Sequence, residues 1–299
     1  MPSIPPDPKV LVILHNRPFF GAYVVHIPFL VMLRKKYSNA SLIGVTKASG
    51  GSFLVDMGFL DALEIEEKKS LINLKKKHTF IAGYNLRPSS IASALGMFRL
   101  GIGKRVGFKK FGGCYTHTQP LNISIYRADL FLSLLGDIST LDAAPHVKKN
   151  IASNSSRSRK IIIAPGAGGA DKKWPLSHYM SLASQIIDSN LGGVIFLTGP
   201  QEEEEKINLL NAGFDVMHNP SVNLLFEIIS NCKVFVSNDC GPSHIAHVMG
   251  VNQVVIFKSY LPEWFLERSN SVYLTSAGGL KTITPELVRS KVAALISRC

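Results

Sequence analysis

Short runs of β-branched and other apolar residues recur along this chain, each followed by a stretch with helical apolar spacing. Val10–Leu14 (VLVIL), Ile161–Ala164 (IIIA), Val194–Thr198 (VIFLT) and Val234–Ser237 (VFVS) are the clearest. Runs this apolar suit strands buried on both faces, and strands that alternate with helices call for a parallel sheet covered on both sides. The first half reads as strands at Val10–Leu14, Ser41–Val45, Ala62–Ile65 and Thr79–Ala82, with helices over Ser89–Phe98 and Asn122–Leu135. In the second half, strands at Ile161–Ala164, Val194–Thr198, Asp215–Met217, Val234–Ser237 and Gln253–Phe257 alternate with helices at Ser177–Asp188, Gln201–Asn211, Leu224–Ser230 and His244–Met249. Between the halves, Val147–Lys160 (VKKNIASNSSRSRK) is polar and Ser/Asn-rich, which suits a linker. The expected fold is α/β: two doubly wound Rossmann-like domains, residues 1–152 and 153–299, facing each other across a cleft. A closing helix, Thr284–Ser297, has Pro285 at its start and is a candidate to pack back on the first domain.

Charge is divided unevenly between these halves. Residues 1–150 carry 20 Lys and Arg against 9 Asp and Glu, and residues 151–299 carry 13 against 12. A basic surface concentrates anionic partners. No recognition helix or aromatic-rich RNA-binding run accompanies it, so nucleic acid is not the expected partner. The four cysteines form no CxxC or Cys/His cluster, and neither a metal nor a disulfide framework is expected. The start, MPSIPPDPKV, lacks the charged and continuously apolar regions of a signal peptide. The apolar window Val10–Leu33 is interrupted by His15, Asn16, Arg17 and His26, which excludes a membrane span there. A cytoplasmic protein is expected, with work against a membrane surface compatible with its charge.

In doubly wound folds ligands bind beyond the carboxyl ends of the strands, and three such ends in the second half are chemically unusual. Pro165-Gly166-Ala167-Gly168-Gly169 leads into Asp171-Lys172-Lys173-Trp174-Pro175. Glycines allow close backbone approach and positive φ, and the lysines add charge for an anion. The spacing is neither a Walker A loop nor GxGxxG, so it names no nucleotide. Thr198-Gly199-Pro200-Gln201 precedes Glu202–Glu205, where first-turn carboxylates suit the helix dipole and one of them could hold a ribose. The third end, Ser237-Asn238-Asp239-Cys240-Gly241-Pro242-Ser243-His244, starts a helix whose free N–H groups favour an anion. The plain alternative makes Asp239 a helix cap.

The series PGAGxxxKxWP, G-P-x-E and S-N-D-x-G-P-x-H resembles the C-terminal domain of glycosyltransferase family 9, the ADP-heptose:lipopolysaccharide heptosyltransferases, over about residues 158–260. The resemblance implies a GT-B fold and metal-independent, cofactor-free inverting transfer from a nucleotide sugar to an anionic glycolipid, the lipopolysaccharide core. Carried over by position, Lys172 meets the donor diphosphate and Glu202 the ribose. Gly166, Gly168, Gly169, Asp239, Cys240, Gly241 and His244 then line the donor site, with Lys172 and Asp239 the catalytic candidates. Cys240 stands where the family usually has Ser or Thr. On the acceptor side, Arg17, Gly21 and Ala22 lie in the loop where the family carries a Gly-Asp pair, and Ala22 replaces the proposed aspartate base. His26, four residues on, is the replacement candidate, with a packed core histidine as the alternative. A catalytically silent sugar-nucleotide-binding protein is the second reading, and sugar-nucleotide 2-epimerisation a less favoured enzyme chemistry.

Overall fold

A computed structural model describes residues 7–15, 17–66, 74, 78–151 and 160–298, without the side chains of 111 and 112. The chain divides into two compact units, Met1–Val147 and Lys148–Cys299. In the first unit, six parallel strands run β3-β2-β1-β4-β5-β6 across the sheet. They are β1 (Lys9–Ile13), β2 (Ser41–Thr46), β3 (Ala62–Ile65), β4 (Phe80–Asn85), β5 (Lys104–Phe108) and β6 (His117–Gln119). The sheet grows one way from β1 and then the other way from β4, so a switch point lies between those two strands. Val10–Leu14 is wholly buried, as a central strand covered on both faces requires.

The second unit repeats the plan with β12-β11-β10-β7-β8-β9, also all parallel. Its strands are β7 (Ile161–Ala164), β8 (Val194–Thr198), β9 (Val216–His218), β10 (Val234–Asn238), β11 (Gln253–Ile256) and β12 (Ser271–Leu274). Counted from its own first strand, this is the same order as in the first unit. On one face, Ile161, Ile163, Phe196, Val234, Val236, Val254 and Ile256 share a core with Trp174, Tyr179 and Leu182. The closing helix, Pro285–Ile296, adds Val288, Val292 and Leu295 to that same core and packs along helix Leu176–Asp188 of its own unit.

Three strands escaped the sequence reading. β5 (KRVGF) opens with two charges, β6 (HTQ) is polar and β12 (SVYL) is only four residues long. The helix expected over Asn122–Leu135 is confined to Arg127–Leu132. The linker expectation needs correction at its start, because Thr140–Ile151 is a helix despite Pro145 inside it. Thr140, Ala143, Ala144 and Val147 are buried at helical spacing and hold it in place. Residues 152–159 lie outside the described residues. Among those described, no helix is long and apolar enough to cross a membrane.

Candidate functional site

The switch point of the second unit lies between β7 and β10, and the two chain segments leaving these strands are tied together by one buried amide. Asn238, the last residue of β10, is fully buried. Its Nδ2 donates to the carbonyl of Pro165 at 2.7 Å and more weakly to that of Gly166 at 3.4 Å. Its Oδ1 accepts the Trp174 N–H at 2.9 Å. Both ends of the glycine loop are thereby anchored to one side chain. Trp174 is itself buried and donates its indole N–H to Ile283 at 2.9 Å. Between these anchors the loop is free to face outward. None of Gly166, Gly168, Gly169 and Gly241 takes a positive φ, contrary to the expectation for the loop. What matters at Gly166 is the missing side chain, because a Cβ there would lie 2.8 Å from Oε1 of Glu202.

Around the loop the structure assembles alternating charges. Glu202, beside Gly166, accepts the Gly199 N–H through Oε2 at 2.7 Å. Lys173 lies 2.5 Å from Glu205 Oε1 and 4.0 Å from Glu202 Oε1. Lys172, half exposed, stands 3.6 Å from Asp239 Oδ2. Lys258 reaches Asp171 at 2.8 Å, and this bond holds the Asp171 carboxyl below its ordinary range. Lys172, Glu202 and Asp239, picked from three separate strand ends, therefore meet in one network around the loop. Lys173, which the sequence offered only as added charge beside the loop, joins it as a fourth member.

Helix Gly241–Val248 begins after Cys240, which is extended and caps it. The Cys240 sulfur takes the Ser243 N–H, and Ser243 Oγ donates back to the Cys240 carbonyl at 2.7 Å. The cap is Cys240 and not Asp239, so the carboxylate of Asp239 remains available to Lys172. Burial pushes the Cys240 thiol up to about 12 and keeps it protonated. His244 is buried, its ring edge-on to Trp264 at 6.0 Å. Burial lowers its pKa while Asp239 opposes that shift.

In the first unit the loop after β1 looks different from the expectation. His26 is fully buried and stacked on Phe131 at 4.9 Å. Its Nε2 accepts the His15 N–H at 2.9 Å, which leaves Nδ1 to donate to the Tyr23 carbonyl at 3.3 Å. Burial, reinforced by His15, lowers its pKa to about 3. Both ring nitrogens are occupied, so His26 braces the loop and is corrected from candidate base to core histidine. Gly21 and Ala22 are buried in the short helix Phe20–Val24, while Arg17 is exposed.

The sequence reading missed what surrounds His15. Its Nδ1 is buried without a hydrogen-bond partner at the carboxyl end of β1. Burial, then Arg127, Arg17 and Arg87, lower its pKa to about 4, so the ring is neutral at pH 7. Arg87, just beyond β4, donates to the Leu14 carbonyl at 2.7 Å and to Glu66 Oε2 at 2.6 Å. It thus bridges the ends of β1 and β4 at the first unit's own switch point. A buried Arg-Pro pair directly after a strand was the available signal. Among the described residues no cluster of His, Cys, Asp and Glu is placed to hold a metal.

The family described as Glycosyltransferase family 9 (heptosyltransferase) matches residues 137–278, which contain the whole loop-and-carboxylate network. The Lipopolysaccharide heptosyltransferase 2 of Escherichia coli (strain K12) is 28% identical over 235 residues, covering 68% of this chain and 67% of the relative. The solved structure of E. coli ADP-heptose lps heptosyltransferase II superposes with a TM-score of 0.67 at 22% identity, covering 97% of this chain and 99% of the other. E. coli heptosyltransferase WaaC with ADP gives 0.72 at 16% identity, covering 95% and 99%. At these identities the structures speak for the fold, and the expected α/β class of GT-B type with two parallel doubly wound sheets is the one observed. With the matched motif region and the curated relative, residues 137–278 and their surroundings are similar to glycosyltransferase family 9, the heptosyltransferase family.

Proposed function

We propose that the chain is an inverting glycosyltransferase that moves a heptose-like sugar from an ADP-linked donor to the core of a lipopolysaccharide or a related surface glycan, without metal or cofactor. The observation that carries this reading is the network of Lys172, Asp239 and Glu202 around the glycine loop at the switch point of the second unit. In it a lysine is held beside outward-facing backbone where a diphosphate would sit, and a carboxylate stands at the next strand end for a ribose. The acceptor hydroxyl attacks the anomeric carbon while the bond to the phosphate oxygen breaks, and the electron pair leaves with the nucleotide. Lys172 and the start of helix Gly241–Val248 meet that developing charge with little reorganisation. Asp239 orients the sugar, and the basic first unit receives the anionic acceptor at the cytoplasmic face of the inner membrane.

The acceptor proton needs a taker, and neither Ala22 nor His26 can be one. His15 fits the role best: its ring is neutral and one buried nitrogen is uncommitted. An acceptor phosphate or carboxylate beside Arg17 would offset the arginines that weaken it and raise its basicity on binding. The test is incubation with candidate nucleotide sugars and core acceptors, reading nucleotide release and acceptor mass. Turnover that falls at least tenfold in His15→Gln with donor affinity retained supports the full reading. Donor binding without turnover on any acceptor would leave the sugar-nucleotide-binding protein as the better description.

A further inference from the structure

Residues 68–128 contain no Asp or Glu and 12 Lys or Arg. Within this acid-free stretch, helix Ile91–Arg99 crosses from β4 to β5. One face of the helix does the expected work: Ala94 and Met97, with Leu100 just beyond, share a core with Leu11, Ile13 and Ile102. The opposite face carries Ile91, Leu95 and Phe98, exposed by 55%, 37% and 54%. These positions form one line along a helix. A helix covering a sheet ordinarily turns polar residues to water, yet this one is apolar on both faces. Cations rim the outer line. The Arg105 guanidinium lies over the Phe98 ring, 5.2 Å from its centre, and Arg99 is exposed beside it. The segment Lys109–Cys114 packs against the helix and presents exposed Lys109 and Lys110.

We propose that this face docks the first unit on an anionic lipid bilayer surface. Leu95, Phe98 and Ile91 enter the boundary between headgroups and acyl chains, while the arginines and lysines pair with lipid phosphates. Charge complementarity selects this occupant. A second copy of the chain would bring the same Arg99, Lys109 and Lys110 against themselves and repel. A nucleic acid would use the cations and leave the apolar line in water. The proposal does not depend on the transferase reading, because vesicle binding requires no turnover.

Flotation of the full chain with vesicles of phosphatidylcholine, alone or with equimolar phosphatidylglycerol, tests it. Partition is expected onto the anionic vesicles only and should weaken as salt is added. Leu95→Ser with Phe98→Ser should lower it about tenfold or more. Arg99→Gln with Lys109→Gln should lower it about fivefold for each charge removed. All four side chains are exposed, so both variants should melt as the parent does, and the charge pair stands alone if the serine pair does not. The proposal is overturned by an intact protein that ignores anionic vesicles, or by two folded variants that partition like the parent. It is equally overturned by self-association in sedimentation that the serine pair abolishes, or by duplex DNA binding in a protein that leaves vesicles empty.

Discussion

Replacing Asn238 by alanine removes the one side chain that anchors both ends of the glycine loop. Two backbone groups, the Trp174 N–H and the Pro165 carbonyl, lose their partners in a site that water does not reach. Each orphaned buried group costs about 1–3 kcal/mol. With some relaxation of the loop, a total loss of about 2–4 kcal/mol follows. The assay is convenient because both tryptophans, Trp174 and Trp264, lie in the second unit, so urea unfolding read by their fluorescence reports on that unit alone. Asn238→Asp refines the argument. Its carboxylate can still accept from Trp174, but the second oxygen would face the Pro165 carbonyl, where the amide donates at 2.7 Å. Burial and that carbonyl raise the carboxyl pKa in the folded state. A raised folded pKa penalises the ionised form, so the deficit of this variant is small at low pH and grows as pH rises above the ordinary carboxylate range. The deficit at pH 8 should therefore exceed that at pH 5. A deficit independent of pH, or an alanine variant within about 0.5 kcal/mol of the parent, would refute the anchoring role.

Other substitutions separate binding from packing. Lys172→Ala should weaken donor binding by about 1.5–3 kcal/mol without unfolding, since the side chain is half exposed and loses a charge-assisted contact. Unchanged calorimetric affinity removes Lys172 from the site. Asp239→Asn should depress turnover far more than stability, because Cys240 supplies the helix cap, and normal turnover would end the case for Asp239 as a sugar-orienting group. His26, with its pKa lowered to about 3, binds a proton in the unfolded chain first. The first unit should therefore lose stability as pH falls below about 6.5, by up to about 1.4 kcal/mol per pH unit from this residue. His26→Gln removes that contribution, and hydrogen exchange of first-unit amides showing identical pH slopes in both proteins would contradict it.

The second unit was the more legible because its central strands are continuous apolar runs and its loops hold their chemistry in consecutive residues. Ile161–Ala164 and Val194–Thr198 are strands over the very residues read from sequence. Lys172, Glu202 and Asp239 each follow such a strand, so parallel pairing brings them to one edge of the sheet. Asn238 stands inside the same motif, but its role is invisible there, since a buried amide serving three backbone groups is a property of the folded loop. The first unit resisted for a different reason. His15, Arg87 and Arg127 are scattered in sequence and meet only once β1 and β4 lie side by side. Spacing from Ala22 put forward His26, but the helix Phe20–Val24 ends before it, and the ring turns inward to bind backbone.

The pairing of Lys172 with Asp239, and of Lys173 with Glu205 and Glu202, makes the resting loop a small ion exchanger already loaded with carboxylates. On the proposed reading, an incoming diphosphate would not meet bare cations there; it would have to displace their present partners. The freed carboxylates would then turn to water. Donor capture would then be a substitution reaction. A diphosphate diester spreads its charges over two phosphates and can take the place of two carboxylates at once, whereas a monophosphate holds its charge on a single group. On that reading, selectivity for a diphosphate would arise from the occupants it has to evict as much as from the lysines it gains.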